Sequence, residues 1–482
     1  MFKQVKYSLV LILLLVLGAC SSDSDNGFHV DPEEEIKSEK VFLLHLNDLH
    51  ANINNFPAIA AYVNSLREEN DNVFLLSAGD LFSGDPVVDQ FEKPGYPMIH
   101  LMNELQFDLA VLGNHEFDYG QKVLNERMAD ANFPFICANI DASNAVLNQP
   151  DAYKKLNTKG GFELFVLGVV ETGTKINDDR YIPSTHPDKV EGINFPYYKY
   201  TIGDFTKYKS DDNLFVLLSH LGQGSDVKMA DQYSELDLII GGHSHSVIDK
   251  PYVQNNALIC QAGSKGRYIG QIEIDIEDGK VLSKKAKLVA VSDLSQVDAG
   301  IESIVNDYNN NPVLERVIAY NETDLYDKDE LGALMCDAIN WKVNTNMSFQ
   351  NSGGIRSSLS KGDIKVKDVY HLDPFNNEVV VFEMSYAEII SLVKSSGSGD
   401  LKVSGINIRY TNNKPVLEDY DGNKLDQQKT YKVGLSSYIA SAYKFDHANA
   451  GKNANITTAT CLIEFLEFKQ RINYEGVRHV FQ

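Results

Sequence analysis

Residues 109–120 read Leu109-Ala110-Val111-Leu112-Gly113-Asn114-His115-Glu116-Phe117-Asp118-Tyr119-Gly120. Four apolar residues stop at a glycine, and an amide, an imidazole and two carboxylates follow. A short apolar run bounded in this way reads as a buried strand that delivers polar groups at its C-terminal end. The same arrangement recurs along the first half of the chain. Val41–Leu46 is followed by Asn47-Asp48-Leu49-His50, and Val73–Ser77 by Gly79-Asp80. Leu214–Ser219 is followed by His220, and Leu238–Ile240 by Gly242-His243-Ser244-His245. Further apolar runs at Leu164–Val170, 257–262 and 270–276, with a helical stretch at Pro57–Glu69, predict a layered α/β architecture. Five polar clusters at strand C-termini gather on one sheet edge, where α/β proteins place their sites.

The residue types narrow the chemistry. Asp, His and Asn offer carboxylate, imidazole and carbonyl ligands without a thiolate, a set suited to Zn, Mn, Fe or Co. The candidates exceed what one tetrahedral ion takes, so two divalent ions sharing a carboxylate are expected. Such a pair can clamp a phosphoryl group and activate water at neutral pH.

The chain has 482 residues with 67 acids against 44 bases, a net charge of −23. That length predicts more than one domain, and that charge excludes general nucleic-acid binding, which needs phosphate neutralisation by Lys and Arg. A small anionic substrate would therefore be met by metal ions rather than by the global field. Residues 1–19 read as a signal peptide: Lys3 and Lys6 precede an apolar run at Leu9–Ala19, too short to span a bilayer. The run ends in Leu17-Gly18-Ala19-Cys20, which resembles a bacterial lipobox with Cys20 as the lipidated residue. Residues 20–40 then form an acidic tether with few large apolar side chains. This reading expects an exported protein, anchored by lipid to the cell envelope at the outer membrane or cell surface. Cys137, Cys260, Cys336 and Cys461 show no CxxC spacing, so a zinc knuckle is excluded and buried free thiols are expected.

Asn47-Asp48-Leu49-His50, Gly79-Asp80, Gly113-Asn114-His115-Glu116, His220 and Gly242-His243-Ser244-His245 resemble the ordered blocks of the calcineurin-like metallophosphoesterases. Ser77–Gly84 and Leu112–Gly120 resemble more narrowly the 5′-nucleotidase family, as does Asn351-Ser352-Gly353-Gly354-Ile355-Arg356 in the second half. The resemblance implies a four-layer αββα sandwich over 41–293, a linker helix over 294–318 and a smaller α+β substrate-binding domain over 319–482. It implies that Asp48, His50, Asp80 and His245 hold one metal, and Asp80, Asn114, His220 and His243 the other. It places His115 opposite the substrate phosphate, oriented by Asp118.

For the second domain the resemblance implies that Asn351 and Arg356 contact phosphate or ribose. Phe375 and Tyr438 would stack on a base, and Asn377 would bond its edge. Family members follow the second aromatic with Gly-Gly-Asp-Gly, whose Asp holds ribose hydroxyls; this chain reads Ser441-Ala442-Tyr443-Lys444-Phe445-Asp446. The expected activity is release of phosphate from nucleoside 5′-monophosphates. A 2′,3′-cyclic-nucleotide phosphodiesterase or nucleotide-sugar hydrolase would use the same site, and a non-catalytic nucleotide-binding lipoprotein is the alternative from another class. His45, His100, His186, His371 and His447 are expected to pack or face solvent. Asp85, Asp108 and Glu116 are expected to support rather than to ligate.

Overall fold

In the computed structural model, which describes residues 38–175, 181–396 and 399–481, the first half of the chain forms two six-stranded sheets. Ser38–Leu46, Val73–Ser77, Leu109–Val111 and Phe135–Ile136 run parallel in the first; Tyr268–Glu277 and Lys280–Ala290 extend it antiparallel. Glu163–Val170, Asn213–His220, Leu238–Gly241 and Ala257–Cys260 are the parallel centre of the second. Strands covered on both faces need apolar residues throughout, which is why these read as unbroken runs. Leu43, Leu76 and Val111 of one sheet pack with Val166, Val216 and Ile240 of the other in the inner core. The outer face of the first sheet is covered by helices carrying Ile59, Val63, Met98, Leu101 and Leu124. Ile202, Met229 and Ala230 cover the other. The result is the expected αββα sandwich.

The expected tether ends too late. Ser38, Glu39 and Lys40 already belong to the first strand and pair with Glu277, Ile276 and Asp275. The signal peptide, Cys20 and the remainder of the tether lie outside the described residues. The linker expected at 294–318 contains helix Ala299–Asn309, and its buried Ile301 and Val305 join the core of the first domain.

The second half is built on a five-stranded sheet in the order Leu401–Ser404, Met347–Asn351, Thr430–Ser436, Glu378–Ser385, Lys452–Thr457. Helices Lys328–Val343 and Thr458–Lys469 pack on it through Leu334, Ala338, Leu462 and Leu466. Strand Leu401–Ser404 ends at a turn. Gly405 takes φ +93°, and a Cβ there would lie 2.2 Å from the Asn346 carbonyl oxygen, so the chain turns and continues in a different sheet at Asn407–Thr411.

Candidate metal centre and substrate cleft

The five strand ends converge. One ligand atom from each of Asp48, His50, Asp80 and His245 lies within 4.8 Å of the others, and Asp80, His220 and His243 form a second such group. Asp80 belongs to both. Asn114 joins the second group, its Oδ1 2.9 Å from His243 Nδ1. All seven residues named from sequence are therefore brought together.

The backbone accepts strain to do this. Asp48, His50, Asp80, His243 and His245 all adopt positive φ, between +46° and +72°. Left-handed geometry costs a non-glycine residue about 1–2 kcal/mol, and such residues collect at functional sites. The neighbouring glycines are there for space. A Cβ on Gly113 would sit 2.3 Å from Asp80 Oδ1, and one on Gly79 2.7 Å from His220 Nδ1.

Hydrogen bonds fix which ring nitrogens face inward. His220 Nδ1 donates to the Ala78 carbonyl at 2.7 Å, and His50 Nδ1 to the Ser83 carbonyl at 3.1 Å. Each Nε2 is left with its lone pair aimed into the cluster. His220 Nε2 then faces Asp80 Oδ2 at 3.1 Å, and His50 Nε2 faces His245 Nε2 at 2.9 Å. Between His220 Nε2 and Asp80 Oδ2 a proton or a metal ion fills the space these two atoms face. Titration says the same. Burial works against a charged His220, yet the Asp80 and Asp48 carboxylates raise its pKa to about 10, so that position calls for a cation. Burial lowers His50, His243 and His245, leaving three neutral imidazoles as ligands. Burial raises Asp48 to about 7; Asp80, which burial also pushes up, is drawn well below the usual range by His220 and His115. The donor set fits two divalent ions with Asp80 as the bridge.

His115 sits on a 3₁₀ turn, His115–Phe117. Its Nδ1 pairs with Asp118 Oδ2 at 2.7 Å, and the other Asp118 oxygen accepts from Thr185 Oγ1 at 3.2 Å. Its backbone N–H donates to Asp80 Oδ1 at 2.9 Å, so it is tied to the cluster without ligating. Nε2 is the ring atom left for a substrate. Burial opposes its protonation, but Asp118 and Asp80 raise its pKa to about 9.

A cleft of about 760 Å³ opens over Asp80, Asn114, His115, His243 and His245. Its opposite wall carries Asn351, Arg356, Phe375, Asn377 and Tyr438, so all five substrate-contact expectations face the metal centre. The Arg356 guanidinium lies 5.6 Å from the Phe375 ring centre, and that ring stacks on His115 at 5.9 Å.

Glu116 supports rather than ligates, as expected: fully buried, it accepts the backbone N–H groups of Asp80 at 2.9 Å, Leu81 at 2.6 Å and Gly113. It thereby locks together the loops that carry Asp80 and Asn114. Asn47 does the same for Asp48, bonding its carboxylate at 2.7 Å and the Gly263 carbonyl at 2.6 Å. Gln261 holds the Gly242 carbonyl at 2.7 Å beside His243. His186, expected to pack or face solvent, lines the cleft with Asp188 and lies 6.1 Å from Tyr438. His186 caps, and Asp188 belongs to, the 3₁₀ turn Pro187–Val190, which is too short for periodicity to mark. His45, by contrast, is buried in its strand as expected, and Cys137, Cys260, Cys336 and Cys461 are buried free thiols.

Comparison with known proteins agrees with this geometry. Residues 43–247 match the calcineurin-like phosphoesterase model, and 313–447 match the 5′-nucleotidase C-terminal domain. A 5′-nucleotidase of Vibrio parahaemolyticus is 26% identical over 96% of this chain and 94% of its own length. The trifunctional nucleotide phosphoesterase protein YfkN of Bacillus subtilis is 26% identical over 83% of this chain, which spans 32% of that longer protein. The crystal structure of a 5′-nucleotidase precursor from Thermus thermophilus shares the fold with a TM-score of 0.76 at 23% identity, over 92% of this chain and 99% of that one. The chain belongs to the calcineurin-like metallophosphoesterases that carry a 5′-nucleotidase C-terminal domain, hydrolases of phosphoric esters that work with two divalent metal ions.

Proposed function

We propose that this protein removes phosphate from nucleoside 5′-monophosphates, and that it does so outside the cytoplasm, held to the cell envelope by lipid on Cys20. The observation that carries the activity is the single cleft in which the metal ligands and His115 face Arg356, Phe375 and Tyr438. A phosphoryl group at the ligand cluster leaves its nucleoside directed at the two aromatic rings. The location rests on residues 1–20 of the sequence; among the described residues no helix is long and apolar enough to cross a membrane.

Asp48, His50, Asp80 and His245 would hold one ion; Asp80, Asn114, His220 and His243 would hold the other. When bound, such a pair supplies positive charge to the phosphoryl oxygens and lowers the pKa of water. The chain's own residues do the rest. His115, protonated and held at Nδ1 by Asp118, presents Nε2–H to the transferring group and gives a proton to the leaving 5′-oxygen. A positioned acid of this kind is worth roughly 10²–10⁴ in rate. Arg356 offers a planar fork to phosphate oxygens. Phe375 and Tyr438 hold the base, and Asn377, whose Oδ1 accepts from Ser437 at 3.3 Å, turns its amide N–H groups to the base edge.

A substrate panel with Mn, Zn, Co and Mg restored separately to chelator-treated enzyme tests the reading. Phosphate release from AMP that depends on metal and is lost in Asp80→Ala is expected. Preference for 2′,3′-cyclic AMP or UDP-glucose over AMP reassigns the substrate while keeping the centre. Tight nucleotide binding without turnover under every metal would make the protein a binding lipoprotein instead.

A further inference from the structure

Glu171 stands where the second sheet hands over to the cleft. It follows strand Glu163–Val170, and its backbone N–H donates to the His220 carbonyl at 3.0 Å. Its side chain is buried and both carboxylate oxygens are in use: Oε1 accepts the Ser184 N–H, and Oε2 accepts the Gly173 N–H. Those two residues flank a two-stranded ribbon, Thr174–Lys175 paired with Tyr181–Ile182. A ribbon of two strands is marginal alone, so one carboxylate that bonds both of its legs fixes where the returning leg lies. Glu171 itself stays behind the cleft wall, whereas Ser184 and Thr185 line it.

The returning leg reaches two parts of the site through adjacent residues. The Ser184 carbonyl accepts from Asn114 Nδ2 at 3.0 Å, and the Thr185 hydroxyl donates to Asp118 Oδ1 at 3.2 Å. An amide has a donor end and an acceptor end of nearly the same shape, and shape alone does not decide which end meets a cation. With Nδ2 taken by Ser184, Asn114 Oδ1 is left on the side of His243, 2.9 Å from its Nδ1. Asp118 has its second oxygen on His115 Nδ1 at 2.7 Å, so the Thr185 hydroxyl bears on the orientation of that ring.

We infer that Glu171 is a positioning residue for the reaction. Through Ser184 it aims the Asn114 carbonyl at the ion that Asp80, His220 and His243 would share, and through Thr185 it orients the Asp118–His115 pair. It rests on the ligand assignment above and not on the choice of nucleotide. A glutamine at 171 keeps one accepting oxygen, so one leg of the ribbon loses its partner.

Calorimetric titration of chelator-treated protein with Mn²⁺, which needs no substrate, tests the path through Asn114. Glu171→Gln is expected to bind one of the two ions about tenfold more weakly and the other as wild type does. Asn114→Ala should weaken the same ion, and Glu171→Gln should cost nothing more in that background, because it acts through Asn114. Glu171→Asp, which withdraws the carboxylate by one methylene, should also weaken that ion alone, so refutation does not depend on the amide variant folding. Steady-state kinetics at saturating Mn²⁺, on whichever of AMP, 2′,3′-cyclic AMP and UDP-glucose wild type cleaves fastest, test the path through Thr185. Thr185→Val lowers kcat about tenfold, the equivalent of one charge-assisted hydrogen bond, with KM and both ion affinities unmoved. Thr185→Ser, which keeps the hydroxyl, restores kcat. Wild-type affinity for both ions in the two Glu171 variants, equal weakening of both ions, additive losses in the Asn114→Ala background, or wild-type kcat in Thr185→Val overturns the inference. An Asn114→Ala protein that holds both ions as wild type does removes the ligand assignment along with it. Failure to cleave AMP removes the nucleotide reading alone.

Discussion

Glu116→Gln is the change that tests how the metal centre is built, because Glu116 touches no substrate and no ion. Its carboxylate accepts three backbone N–H groups: Asp80 and Gly113 on Oε2, Leu81 on Oε1. A glutamine amide keeps one oxygen. The better orientation leaves that oxygen on Asp80 and Gly113 and turns the NH₂ towards the Leu81 N–H. One charge-assisted bond becomes a donor facing a donor, costing about 1–3 kcal/mol, and the two survivors lose charge assistance worth about 1 kcal/mol each. The sum, about 3–5 kcal/mol, falls on the loop that carries Asp80. Losing a supporting contact to a ligand typically weakens metal affinity by about 10–100-fold. Burial, with Asp80 second, raises the Glu116 pKa to about 7, so below that pH the wild-type group is itself neutral and approximates the amide. The deficit is therefore larger at pH 8 than at pH 6. Chelator-stripped protein titrated with Mn²⁺ or Zn²⁺ by calorimetry, together with the thermal midpoint, measures it at both values. Saturating metal should restore much of kcat. Equal metal affinity and thermal midpoint for variant and wild type at pH 8 would show that Glu116 does not hold these loops.

Gly113→Ala places a methyl 2.3 Å from Asp80 Oδ1, and displacement of that ligand by about 1 Å should cost about 100-fold in kcat/KM with the circular dichroism spectrum unchanged. His115→Ala should lower kcat for AMP by roughly 10²–10⁴ with metal affinity intact, and Asp118→Asn should fall in between; a fall in metal affinity would make His115 part of the ligand set. The stability of Asp373→Asn relative to wild type should rise between about pH 4 and pH 7 and be flat above it. Burial raises the folded Asp373 pKa to about 6, above an unfolded value of about 3.9. Wild type then loses on the order of 3 kcal/mol as pH climbs past both values, while the amide does not titrate. Parallel stability–pH curves for the two proteins would contradict this.

The metal ligands were legible, and so was Glu116 as a support, whereas Asn47, Gln261 and Asp400 were not, for reasons of chemistry. A ligand must be Asp, His or Asn, must follow a buried strand, and needs a glycine beside it where space runs out, as Gly79 and Gly113 show. Each condition leaves a mark in the sequence. A support such as Gln261 or Asn47 has only to reach a backbone group, which any polar side chain of suitable length can do, so identity carries little information. Asp400 shows the limit most clearly. Its carboxylate accepts from Tyr443, 43 residues away, and from Ser352, 48 residues away, and those partners meet only once the second sheet has formed. The break at Gly405 is a related case: the apolar alternation shifts phase there, from Leu401 and Val403 to Ile406, Ile408 and Tyr410, and the turn is set by the Asn346 carbonyl from a distant part of the chain. Periodicity reports what a segment buries, whereas breaks of this kind report what it meets. The sequence of a site therefore specifies its reactive atoms more fully than the scaffold that aims them, and differences in specificity among chains with the same seven ligands are to be sought in that scaffold.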